Sequence, residues 1–184
     1  MVPVFLISGG VILLLIIVFI ALYNSLVKAR NLTQTSLSDI DVHLTKRFSL
    51  VPNLVSLTKN YAQYESELLL EIVEKRGHQP AAESLESKAS TDDSLTASLN
   101  KITIVAENYP ELKANQQFLK LMEDLSFIEN DLRFARRFYN GSVRDLNNKI
   151  QSFPNNVVAG MFGFRPQPFY TVNSDSERVV PVIN

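Results

Sequence analysis

Ile40-Asp41-Val42-His43-Leu44-Thr45-Lys46-Arg47-Phe48-Ser49-Leu50-Val51-Pro52-Asn53-Leu54-Val55 carries the pattern that decides the fold. Its apolar residues return as Ile40, Leu44, Phe48, Val51 and Leu54/Val55. The stripe then continues through Thr58, Tyr61/Ala62, Leu68/Leu69 and Ile72/Val73. This is the α-helical period of about 3.6 residues, held for about nine turns. Pro52 falls inside the stripe without shifting its phase. Proline removes one backbone hydrogen bond and crowds the carbonyl of Phe48, so the pattern predicts one kinked helix over 40–76. Gly77 ends it, and Gln79-Pro80 keeps it ended.

Downstream, Gly77–Asp93 is small and polar, with room for one short helix over Ala81–Lys88. Asp92 and Asp93 suit a helix N-terminus electrostatically. Leu95, Leu99, Ile102 and Val105/Ala106 then predict an amphipathic helix near 93–108, stopped because Pro110 disfavours helical geometry at Tyr109. After a turn at Pro110–Ala114 a second long stripe runs through Phe118/Leu119, Met122, Leu125, Ile128, Leu132, Ala135, Tyr139, Val143, Leu146 and Ile150. The long helices over 40–76 and 115–152 each measure about 55 Å and can lie side by side. The middle helix covers about half that distance, which leaves apolar surface for a loop or a partner. The fold class is all-α, an antiparallel up-and-down bundle whose core is Leu44, Phe48, Val51, Leu54, Leu125, Ile128, Leu132 and Tyr139.

Upstream of the stripe, Asn24–Ser38 contains no helix breaker, but Thr33, Thr35, Ser36 and Ser38 lower its propensity. It reads as a helical stalk; a fresh helix start at Ser38, with Asp41 three positions on, is the other reading. Before it, Val4–Leu22 is apolar all round, about nineteen residues matched to the roughly 30 Å hydrocarbon core of a bilayer. A secretory signal would carry a basic n-region and a small-x-small cleavage site, and neither occurs here. Without cysteine there is no thiol for a lipid anchor. The segment therefore predicts an uncleaved single-pass anchor. Lys28, Arg30, Lys46 and Arg47 follow it, which places the N-terminus outside and the helical part in the cytoplasm. The predicted organisation is a transmembrane anchor at 1–23, a stalk at 24–38, a bundle at 39–164 and an extended tail at 165–184. Within the last two, Val157–Phe164 is short and greasy, and Pro166, Pro168 and Pro181 oppose further helix.

Little in the sequence points to catalysis. The net charge of −1 supplies no basic field for nucleic acid. His43 and His78 are the two histidines, and with no cysteine they make no zinc set. There is no phosphate loop, no Gly-x-Ser-x-Gly elbow and no His-Glu-x-x-His. Glu65, Glu67, Glu71 and Glu74 with Lys75 and Arg76 have the spacing of a solvated helix face. Glu129, Arg133, Arg136 and Arg137 sit among apolar residues, and one of them pairing with Asp39 or Asp41 inside the bundle would fix register. No catalytic, cofactor-binding or metal-binding residue is predicted.

Several of these stretches resemble the LemA family. The resemblance begins at Tyr23-Asn24-Ser25-Leu26-Val27 and runs through Asp39–Leu44 and Lys46–Val55. It returns at Glu107–Asn115, Ile128-Glu129-Asn130, Ala135-Arg136-Arg137, Tyr139-Asn140, Phe153-Pro154-Asn155 and Phe162-Gly163-Phe164. Leu37, His43 and Tyr64 depart from the family's usual Trp, Gln and His, and Gly77–Ile104 matches only in character. The resemblance implies a bacterial inner-membrane protein with one N-terminal transmembrane helix, its short N-terminus outside, and a helical bundle. It implies no particular activity. One member takes part in forming magnetosome membranes, which points toward membrane organisation. The expectation is a non-enzymatic scaffold that needs no cofactor, with the lipid bilayer and a second copy of itself as partners. The alternative is an accessory to envelope stress or an adaptor for a membrane protease. The greasy stretch either covers its own bundle end or serves the oligomer.

Overall fold

The computed structural model describes residues 2–61 and 84–171, with side chains from Ser8 onward. They form five helices: α1 (Val2–Tyr61), α2 (Leu85–Asn108), α3 (Pro110–Lys113), α4 (Gln116–Gln151) and α5 (Asn155–Phe162). Among the described residues there is no strand, as the all-α bundle requires. The predictions for 62–83, including the Glu65–Arg76 face, Gly77 and His78, and those for 172–184 lie outside the described residues. The chain divides into two compact units, Met1–Ser38 with Arg137–Phe169 and Asp39–Arg136 with Tyr170–Asn184.

In the first unit the apolar run of α1 is bare: Leu13, Leu14 and Leu15 are each about 60% exposed, and the run is 6% buried within the protein. The described residues do not cover this segment, as they would a core helix of a soluble fold. The next turns, the predicted stalk at 24–38, continue the same helix and are packed on one face. Leu26, Ala29, Thr33 and Ser36 recur at helical spacing and are all buried. Thr33 and Ser36 donate to the carbonyls of Ala29 and Leu32 at 3.0 and 2.6 Å, so their hydroxyls are satisfied within the helix. Leu26 and Ala29 share one cluster with Leu146, Ile150, Val158 and Ala159, edged by Phe19, Leu22, Tyr23 and Phe164. The greasy stretch therefore folds back on its own chain. Gly163, at φ 69°, ends α5 in the left-handed conformation that favours glycine, and the Phe164 N–H donates to the Ala159 carbonyl at 3.0 Å. Past Arg165 the described backbone forms no helix or strand. Asn147 holds it in a reciprocal pair, donating to the Gln167 carbonyl at 2.9 Å and accepting its N–H at 2.8 Å.

In the second unit Ile40, Leu44, Phe48, Val51 and Leu54 of α1, Leu95, Leu99 and Ile102 of α2, and Leu125 and Leu132 of α4 are all buried. Ile128, expected there, is half-buried, because α4 turns Glu129 and Arg136 inward instead. Helix α2 begins well before residue 93. Ser84 caps it, its Oγ accepting the Ser87 N–H at 3.2 Å, and Glu86 favours the first turn. The predicted short helix up to Lys88 and the helix near 93–108 are thus one element of 24 residues. Asp92 and Asp93 lie inside it, and much of the predicted gap in cover disappears. Tyr109 leaves helical geometry before Pro110, which opens the short α3 in place of the predicted turn. Asn115 then caps α4, its Oδ1 accepting the N–H groups of Gln117 and Phe118. The pairs Lys88–Asp41 and Arg47–Asp92 show α2 parallel to α1; His43–Asp131 and Arg47–Glu129 show α4 antiparallel to it.

Candidate functional site

The polar groups that converge most closely lie in the second unit, around Asp92. Its three longer helices bring a charged residue into the apolar register: Arg47 between Leu44 and Val51, Asp92 before Leu95 and Leu99, Arg136 between Leu132 and Tyr139. These three are 3%, 1% and 8% exposed. Arg47 Nη1 donates to Asp92 Oδ1 at 2.6 Å, and its Nη2 donates to Thr96 Oγ1 at 3.0 Å. Arg136 Nη2 donates to the other carboxylate oxygen, Oδ2. Tyr170 is buried against the cluster, its hydroxyl 3.4 Å from Asp92 Oδ2 and its ring 5.6 Å beneath the Arg136 guanidinium. Glu129 supplies the second negative charge, 3.1 Å from Arg47 Nη2 and 3.7 Å from Arg136 Nη1. Its Oε2 makes no hydrogen bond among the described residues, so that contact is coulombic.

Two guanidiniums and two carboxylates leave the cluster formally neutral. Burial pushes the Asp92 carboxyl above the usual carboxylate value, while Arg136 and Arg47 pull the other way. Burial opposes the charge on Arg136, and Asp92, Tyr170 and Glu129 outweigh it and hold the group protonated. The Nε groups of Arg47 and Arg136 are buried with no acceptor among the described residues, a cost that the bonds to Asp92 must offset. Such a set joins three helices and the C-terminal segment by directional bonds. Beside it, buried Lys88 grips both oxygens of Asp41 at 2.7 and 2.8 Å. A groove of about 590 Å³ between α1 and α4 is lined by Asn53, Asn60, Gln116 and Lys120, among others, but by no carboxylate or imidazole.

The structure brings together some of the charged residues that the sequence singled out, in different pairs. Arg136 and Glu129 are in the cluster; Arg133, Arg137 and Asp39 are exposed. Asp41 pairs with Lys88 and not with an α4 arginine. His43 is on the rim, 3.9 Å from Asp131. Arg47, Asp92, Thr96 and Tyr170 were not singled out as a site. The signal for the first two was present: each occupies an inward position of its stripe. Among the described residues no group of three or more His, Asp or Glu could hold a metal ion.

Among the described residues, a helical bundle with a buried charge cluster and one helix long and apolar enough to cross a membrane defines the class. The chain belongs to the LemA family, whose sequence model matches residues 36–184. It is similar to magnetosome protein MamQ 2 of Paramagnetospirillum magneticum, 25% identical over 174 residues that cover 80% of this chain and 64% of that protein. It is likewise similar to protein LemA of Metamycoplasma hominis, 27% identical over 146 residues that cover 77% and 65% of the two chains. The chain thus spans just under two thirds of the length of these curated relatives.

Proposed function

We propose that the protein is a membrane-anchored, non-enzymatic scaffold whose helical bundle makes protein–protein contacts beside the bilayer, chiefly with copies of itself. The carrying observation is the closed Asp92 cluster: the groups best suited to chemistry neutralise one another, 8% exposed or less at Arg47, Asp92 and Arg136. Contact surface remains available elsewhere. Leu119 and Phe127, two turns apart on α4, are 52% and 67% exposed, and exposed apolar patches mark interaction sites. The similarity to proteins named for the magnetosome supports a role in organising membrane. The bundle lies on the cytoplasmic side, a reading supported by Lys28 and Arg30 just after the apolar run.

Light scattering on the full-length protein in mild detergent tests self-association: the expected result is a defined oligomer that Phe127→Asp dissociates. A strict monomer would overturn the self-association. Single cysteines test the orientation, since the sequence has none. An impermeant maleimide should label Val2→Cys on intact cells and reach Ser90→Cys only after the cells are opened. The reverse pattern would move the bundle outside.

A further inference from the structure

We infer that α5, with Phe153 just before it, is a second membrane contact that lies at the surface of the bilayer crossed by the apolar run of α1. The inference rests on the anchor reading of α1 and adds to it a lipid-facing site that is not part of the span. Depth is the first argument. The Phe162 ring is centred 5.9 Å from that of Phe19 and 4.7 Å from that of Tyr23, and Phe164 stands 6.0 Å from Tyr23. Phe19 belongs to the apolar run, which ends at Leu22. A ring in contact with Phe19 therefore sits at the level of the last turn inside the hydrocarbon. The left-handed cap at Gly163 turns the chain so that Phe164 also reaches Tyr23, fixing α5 against α1 at that level.

The second argument is that α5 is apolar on both faces. Val158 and Ala159 point inward and are buried. Val157 and Met161, one turn apart on the outer face, are 54% and 68% exposed, and Phe153 is 82% exposed. A helix on a water-facing surface carries polar residues outward; beyond Asn156 this one has none. Apolar surface at the height of an acyl chain needs no protein partner, because the lipid itself covers it.

The third argument is charge. Lys28 and Arg30 follow the apolar run by one to two turns and are exposed, as is Arg165 after α5. The Arg30 guanidinium lies 5.2 Å from the centre of the Phe164 ring. Aromatic rings with cations just above them form the sequence of chemistries met on leaving a bilayer, from acyl chain to phosphate. Lipid headgroups fit this order; a protein partner would have to reproduce it.

Because the chain lacks cysteine, single thiols carrying a polarity-sensitive fluorophore can be placed at Val157, Met161, Ile16 and Ile104. The full-length protein is reconstituted in nanodiscs of phosphatidylcholine and phosphatidylglycerol, with spin-labelled lipids quenching near the headgroup or deep in the chain. Labels at Val157 and Met161 should shift to the blue and lose most of their emission to the shallow quencher. The Ile16 label should respond to the deep quencher, and Ile104 to neither. Labels at 157 and 161 that stay in water, while Ile16 is quenched, would overturn the inference and leave the anchor standing. A blue shift without lipid quenching would also overturn it, by assigning the face to a protein or a second copy. An unquenched Ile16 would bring down the anchor reading itself.

Discussion

The first unit packs Leu26, Ala29, Leu146, Ile150, Val158 and Ala159 together, and its buried hydroxyls at Thr33 and Ser36 bond to their own helix. The second encloses Arg47, Asp92 and Arg136 among Leu44, Leu95 and Leu132, and these charges bond across three helices. Apolar contact is non-directional and tolerates sliding by a fraction of a turn. A carboxylate held from both sides by guanidiniums does not, because any slip leaves a charge buried and unpaired. The same two long helices are thus secured mainly by shape near the apolar run, where Lys149 Nζ also donates to Ser25 Oγ at 3.0 Å, and by register in the bundle.

The strongest way to break this contrast is Asp92→Ala. It strands two guanidiniums and should cost about 3–5 kcal/mol in denaturant unfolding followed by circular dichroism. Replacing Arg47, Asp92 and Arg136 together by Met, Leu and Met should recover much of that loss. A loss below about 1 kcal/mol for the single change would mean the cluster does not set the register. Leu132→Ala, beside the charges, should cost about 2–5 kcal/mol by opening a cavity. If it cost far less, the bundle would rest on charge alone.

The first unit offers a sharper contrast within one residue type. Gly163→Ala meets no atom within 4 Å, so its cost is conformational, about 1–2 kcal/mol for a side chain at φ 69°. Gly141, inside α4 and equally unobstructed, should become more stable as Ala by about 0.5–1 kcal/mol. Opposite signs in thermal melts check both. The gentlest test is alkaline. Burial raises the Tyr170 hydroxyl, and Asp92 adds to the effect, so the folded state holds this proton more tightly than the unfolded chain. Stability is therefore unchanged below the unfolded value of about 10 and falls as pH rises above it. Denaturation midpoints on either side of that value should diverge for the natural chain and much less for Tyr170→Phe. Tyr139, also raised by burial, leaves a residual slope.

What the sequence disclosed divides along physical lines. Long helices announce themselves because each apolar contact recurs locally, so the spans of α1 up to Tyr61 and of α4 were legible, as was the stop before Pro110. The start of α2 was not, since Ser84–Ser94 is small and polar and its support comes from distant residues: Lys88 from Asp41, Asp92 from Arg47 and Arg136. A stripe gives the inward position of a charge but not its partner's identity, which is why Arg136 drew attention and its carboxylate was sought at Asp39 or Asp41. Tyr170 gave no signal at all, because a residue in a proline-rich stretch without helix or strand has no period from which to read its facing.

The cluster also imposes a timetable. Its members are 44, 45 and 78 positions from Asp92 along the chain, whereas the apolar run of α1 is made first. Synthesis is vectorial, so the hydrophobic segment can leave the ribosome long before the bundle can close. A nascent chain that ends between Glu129 and Arg136 holds one positive and two negative members, an unbalanced core. One that ends before Tyr170 has the balance but leaves Asp92 without its aromatic cover. Electroneutrality of this core is thus reached late in synthesis, with Arg136, and its aromatic cover later still, with Tyr170.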